Sequence, residues 1–95
     1  MQGAEYEWDE TKSRENLARH GISFHDAEAV FAGSCVTSED TRRDYGEPRF
    51  ITIGLLRGRT VVIAHTPRGG RTRVISMRKA NSRETGRYRE RLEAR

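Results

Sequence analysis

The chain has 95 residues, of which 34% are hydrophobic and 34% charged, and its net charge is +4. No apolar run approaches the length of a membrane-spanning helix, and the single cysteine, Cys35, leaves no intramolecular disulfide to form. The opening Met1-Gln2-Gly3-Ala4-Glu5 has no basic region followed by an apolar stretch, so no secretory signal, a cytoplasmic location and one domain over residues 1–95 are expected.

Glu5-Tyr6-Glu7-Trp8 alternates and reads as a short optional first strand. Asp9 is a good N-cap for a helix from Glu10 to His20, and Gly21 suits the left-handed position that ends it. Glu10 with Arg14 and Glu15 with Arg19 have the spacing of i,i+4 ion pairs. Ser23 opens a second helix with a capping-box pattern completed by Asp26. Phe24, Ala27, Val30 and Phe31 fall on one face of it, and Gly33 ends it.

Strands follow. Cys35 to Ser38 is the first, and Glu39 to Pro48 is a polar loop. Phe50 to Leu56 and the β-branched run Thr60 to Thr66 are joined by a tight Arg57-Gly58 connection. Pro67-Arg68-Gly69-Gly70 reads as a turn before a strand over Arg73 to Met77. Asn81, with Glu84 three residues on, caps a last helix to about Ala94, whose only apolar residues are Tyr88, Leu92 and Ala94. The expected fold is α+β: two N-terminal helices, a four-stranded antiparallel sheet with a possible extra N-terminal strand, and a C-terminal helix.

The net charge conceals a polarity. Residues 1–47 carry five basic and eleven acidic side chains, a net of −6; residues 48–95 carry thirteen and three, a net of +10. Sixteen of the eighteen cations are arginine, whose planar fork matches phosphate and stacks on bases. A polarised, arginine-rich half reads as a polyanion-binding surface, or as a solvated basic face.

Metal-free RNA cleavage needs a group to deprotonate the 2′-hydroxyl, an acid for the leaving 5′-oxygen, and cations for the phosphorane-like transition state. His20, at the negative end of its helix dipole, suits a general acid or a helix-capping role. His65 shares a strand face with Val61 and Ile63 and suits catalysis or a satisfied core position. His25 has no assigned role. No HxxH, HExxH or cysteine-pair spacing occurs, so no metal and no other cofactor is expected. The densest signal is Arg68 to Tyr88. Strict alternation puts Arg71, Arg73 and Lys79 on one strand face with Ile75 and Met77, and Arg78 on the other with Thr72, Val74 and Ser76. Arg78, Glu84 and Tyr88 converge where strand enters helix, either around chemistry or as a structural ion pair beside a packing tyrosine. Arg68, Arg71, Lys79, Arg83 and Arg87 are candidate RNA-binding cations.

At this point the residues match a known pattern. Trp8-Asp9-x-x-Lys12-x-x-x-Asn16-Leu17-x-x-His20-Gly21-Ile22-x-Phe24-x-x-Ala27-x-x-Val30-Phe31 resembles the amino-terminal half of the BrnT toxins. Arg49 to Gly54, Val62-x-x-His65-Thr66, Arg73-Val74-Ile75-Ser76-x-Arg78-x-Ala80 and Glu84-x-x-x-Tyr88 resemble their later segments in the same order. The resemblance spans roughly residues 5–90. It implies a RelE-like fold and an endoribonuclease toxin of a type II toxin–antitoxin pair, with His20, His65, Arg73, Arg78, Glu84 and Tyr88 as functional positions. It also implies a BrnA-like ribbon-helix-helix antitoxin through which alone the complex reaches operator DNA. Two other readings fit the basic half: a module that binds RNA or ribosomes without cutting, and a domain whose arginines grip an acidic protein.

Overall fold

A computed structural model describes residues 5–95; the Met1–Ala4 segment, read above for a signal, lies outside them. The elements are β1 (Tyr6–Glu7), α1 (Glu10–His20), α2 (Ala27–Ala32), β2 (Val36–Glu39), β3 (Phe50–Leu56), β4 (Arg59–Arg68), β5 (Arg71–Lys79) and α3 (Ser82–Glu93). No helix among the described residues is long and apolar enough to cross a membrane.

Helix α1 forms between the expected signals. The Asp9 carboxylate accepts from the Lys12 N–H, and Gly21 closes the helix at φ 72° with its N–H on the Leu17 carbonyl. Glu10 turns away from Arg14, accepting instead from the Trp8 indole and pairing with His25 at 2.9 Å. Of the two full N-terminal helices expected, only α1 reaches full length. The second is a 3-10 turn over Phe24–Asp26 that runs into the six residues of α2. The capping box does not close there. The Ser23 hydroxyl takes the His25 N–H, while the Asp26 carboxylate faces Arg57 at 3.5 Å.

The expected four-stranded antiparallel sheet is corrected to a mixed, five-stranded one in the order β1-β5-β4-β3-β2. The optional first strand is an integral edge, and it pairs parallel to β5, Tyr6 opposite Thr72 and Glu7 opposite Arg73. The remaining pairings are antiparallel. Strand β4 runs on through Pro67 and Arg68, which were expected in the turn; Gly69-Gly70 alone make it, both at positive φ. Proline fits because Thr72, opposite, turns its N–H to Glu5 rather than across to Pro67.

One face of the sheet holds the core. Phe24, Ala27 and Val30 pack on Val61, Ile63, Val74 and Met77, closed by Trp8, Ile22 and Leu56. Gly54 lets α2 approach this closely. A Cβ there would stand 2.8 Å from Val30 Cγ1 and 3.1 Å from Cys35 Cβ. Val30 is β-branched and fully buried and cannot swing aside. Gly54→Ala is therefore expected to cost about 1–3 kcal/mol of overpacking, read from urea unfolding.

Between β1 and the end of β5 the sheet edge is open, and Asn16 fills it. Its amide nitrogen donates to the carbonyls of Met77 (2.9 Å) and Ile22 (2.8 Å), and its Oδ1 accepts the Met77 N–H at 3.3 Å. The side chain thus does the work of one more strand residue. It is buried, with the neighbouring Ser13 accepting the Phe24 N–H at 3.0 Å.

Candidate nucleic-acid interface

Strict alternation does not survive in β5. Across β4, Met77 opposes Ile63 and Ser76 opposes Ala64, but His65 is opposed by Val74. Ile75 is the extra residue of a β-bulge, which shifts the strand's inside-outside phase by one position. Directly opposed residues share a face. The pairs Val62–Arg78, Ala64–Ser76, Thr66–Arg73 and Arg68–Arg71 therefore lie together on the face away from α1 and α2. This corrects the alternation reading on two counts. Arg73 and Arg78 share a surface, and Lys79, opposite Val61, stands on the other side beside Gly21 and Ile22.

Three of the four arginines of this face are held by carboxylates. Glu7 of β1 pairs with Arg73 Nη1 at 2.7 Å, through a parallel contact 66 residues away in sequence. Glu84 takes both terminal nitrogens of Arg78 at 2.8 Å each. Glu47 reaches Arg68 at 3.4 Å. The capping box of α3 fixes Glu84 in turn: the Asn81 side chain accepts the Glu84 N–H, and Glu84 accepts the Asn81 N–H at 2.9 Å. Hydrogen bonds from Arg78 above all, then from the Asn81 backbone, pull the Glu84 carboxyl down to about 2. It is thus a firm anion and a weak proton acceptor near neutrality. The Arg78 side chain remains 43% exposed, with donors to offer a ligand.

The other expected residues separate. Tyr88 is 3% exposed and donates its hydroxyl to the Ser34 carbonyl at 2.6 Å, packing α3 over β2 and β3. It does not join Arg78 and Glu84. Arg83 and Arg87 are exposed on α3, with the Arg87 charge acting on Glu84. His65 lies on the helix face with Val61 and Ile63, as the alternation of β4 predicts. It is buried between Phe31 and Phe50, its Nε2 2.7 Å from Thr52 Oγ1. Burial pushes its pKa down to about 4, so the ring is neutral near neutrality and lies across the sheet from the arginines. The unfolded imidazole titrates near 6.5. Stability from this site is thus complete above about pH 6.5 and falls as the pH drops toward about 4, by about 3 kcal/mol. The expected NMR result is a His65 ring signal that does not titrate between pH 8 and 5, and a His65→Gln variant that lacks this part of the acid destabilisation.

His20 lies beside one residue of the arginine face. It lines a cavity of about 250 Å³ with Lys12, Arg19, Ile75 and Ser76, and Ser76 belongs to that face. Three contributors escaped the sequence reading. Glu7 gave no local signal, because its partner comes through the parallel pairing. Asn16 enters only as part of the resemblance, because its partner Met77 is 61 residues away. The loop before β3 read as polar, although its Arg42-Arg43-x-Tyr45-x-x-x-Arg49 run interleaves cations with an aromatic ring.

A sheet face that presents several fixed guanidiniums beside a basic helix belongs to proteins that take hold of an extended polyanion. Residues 8–84 match the family model of the ribonuclease toxin BrnT of type II toxin–antitoxin systems, and the chain belongs to that family. Membership makes RNA its substrate class and an antitoxin its partner. The matched span takes in Arg73, Arg78 and Glu84 and ends before Tyr88. A comparison with curated proteins finds no match.

Proposed function

We propose that this toxin is a metal-independent endoribonuclease acting in the cytoplasm, and that its chemistry takes place over the face bearing Arg73 and Arg78. The observation that carries the reading is the bulge at Ile75, which sets the two arginines on one surface, each aimed by its own carboxylate. Fixed guanidiniums stabilise the charge that builds on phosphorus without rearranging at the moment of reaction. The 2′-hydroxyl attacks the adjacent phosphorus, the P–O5′ bond breaks, and a 2′,3′-cyclic phosphate and a 5′-hydroxyl result. His20, beside Ser76, is the acid–base residue of the reading, because His65 is neutral and faces the core. Glu84, expected as an alternative base, serves here as the anion that orients Arg78.

A BrnA-like ribbon-helix-helix antitoxin neutralises the enzyme by covering the same arginines, and operator DNA is met only through it. Purified protein is expected to cut single-stranded RNA in EDTA, leaving cyclic-phosphate ends, and to arrest growth when induced without its antitoxin. RNA that stays intact under salt-sensitive binding would replace this reading with that of a non-catalytic RNA-binding module.

A further inference from the structure

The loop between β2 and β3, which the reading above does not use, is built rather than slack. Asp40 clamps it: its carboxylate accepts two hydrogen bonds from Arg42, at 2.8 Å each, and the Tyr45 hydroxyl at 2.8 Å. Two guanidiniums lie over the Tyr45 ring, Arg49 at 4.6 Å and Arg43 at 5.0 Å from its centroid. Arg49 is tied to Glu47 at 2.9 Å, whereas Arg43 is exposed and has no ion pair among the described residues. The loop is fastened to the arginine face itself. The Thr66 hydroxyl, opposite Arg73, donates to the Pro48 carbonyl, Glu47 reaches Arg68, and the Arg42 charge acts on Arg78.

Beside this cluster lies a cavity of about 500 Å³ lined by Arg43, Tyr45 and Arg49 together with Glu39 and Asp44. The carboxylates repel a phosphate, but they accept hydrogen bonds from the amino groups of a base. A guanidinium held over a tyrosine ring and otherwise exposed has a side left for a further π-system.

Resting on the ribonuclease reading, we infer that this cluster is a nucleobase subsite. An unpaired base of the RNA stacks on Arg43 and presents its amino edge to the loop carboxylates, while the backbone passes to Arg78. The subsite grips the base rather than the charge, and so contributes to which RNA is held.

The test measures binding of two probes. One is a 2′-O-methyl oligoribonucleotide, which lacks the attacking hydroxyl; the other is inorganic polyphosphate, which has charge and no bases. Arg43→Ala and Arg43→Lys are both expected to weaken the oligonucleotide about tenfold, the scale of one base–side-chain stack. Polyphosphate binding should be unchanged in Arg43→Lys, because lysine keeps the charge and lacks only the plane. Arg14→Ala, on α1, serves as the control for net charge and should change neither affinity. Oligonucleotide affinity restored by Arg43→Lys would overturn the inference in favour of a simple charge patch, and an Arg43→Ala protein that binds like wild type would overturn it by showing that Arg43 holds no base; both leave the ribonuclease reading standing. A wild-type protein that does not bind the oligonucleotide would overturn both.

Discussion

Arg78→Ala is expected to lower kcat/KM for RNA cleavage by about 10²–10³-fold and to abolish growth arrest. That is the loss found when one preorganised donor to a transition-state anion is removed. The geometry argues for an effect of this size. Glu84 holds both terminal nitrogens of Arg78 at 2.8 Å, so the plane of the guanidinium is set before substrate arrives. Arg78→Lys should recover little. An ammonium is a point donor and cannot meet both Glu84 oxygens and a phosphate in one plane. Glu84→Gln should fall between, raising KM less than it lowers kcat, because it loosens the aim of Arg78 and leaves its charge. Unfolding curves are needed beside the kinetics, since Glu84 also closes the α3 capping box, itself worth about 1 kcal/mol. An Arg78→Ala protein that stays folded and cuts RNA like wild type would remove Arg78 from the chemistry.

Asn16→Ala carries the second large expectation, and it concerns stability. The substitution strands the Met77 N–H and carbonyl and the Ile22 carbonyl in a buried setting. Each orphaned group costs about 1–3 kcal/mol, less where water can reach the open edge, so a total of about 3 kcal/mol is expected from urea unfolding. Asn16→Asp should be as damaging, because a carboxylate would confront two carbonyl oxygens. A loss under about 1 kcal/mol for Asn16→Ala would show that the edge of β5 is satisfied by other means.

How much of this was legible in the sequence depended on range. Helix α1 carries its start and stop in Asp9 and Gly21, and α3 carries its capping box in Asn81 and Glu84; such signals act within four residues and were readable. Strand β3 announced itself between a polar loop and a tight turn, and the placement of His65 with Val61 and Ile63 followed from alternation. The second helix is shorter than its pattern predicts, because apolar spacing describes the face a helix buries and not how soon it starts or stops. The phase of the arginine surface differs from strict alternation. Ile75 and Met77 are both apolar, so nothing local marks which of them breaks the alternation, and the bulge appears only when β4 supplies the register. The Glu7–Arg73 pair and the Asn16 brace join residues 66 and 61 positions apart, beyond any local pattern.

The bulge also bears on how arginine-rich strands should be compared with one another. Whether two cations on a strand reinforce or oppose each other is a question of parity: an even separation adds their fields on one side, an odd separation divides them. Arg73 and Arg78 are an odd number of residues apart, and one inserted residue converts that odd count to an effective even one. The toxin's surface potential is therefore written as much in one uncharged isoleucine as in the arginines. A strand of identical composition without that defect would carry the same net charge and divide it between two faces.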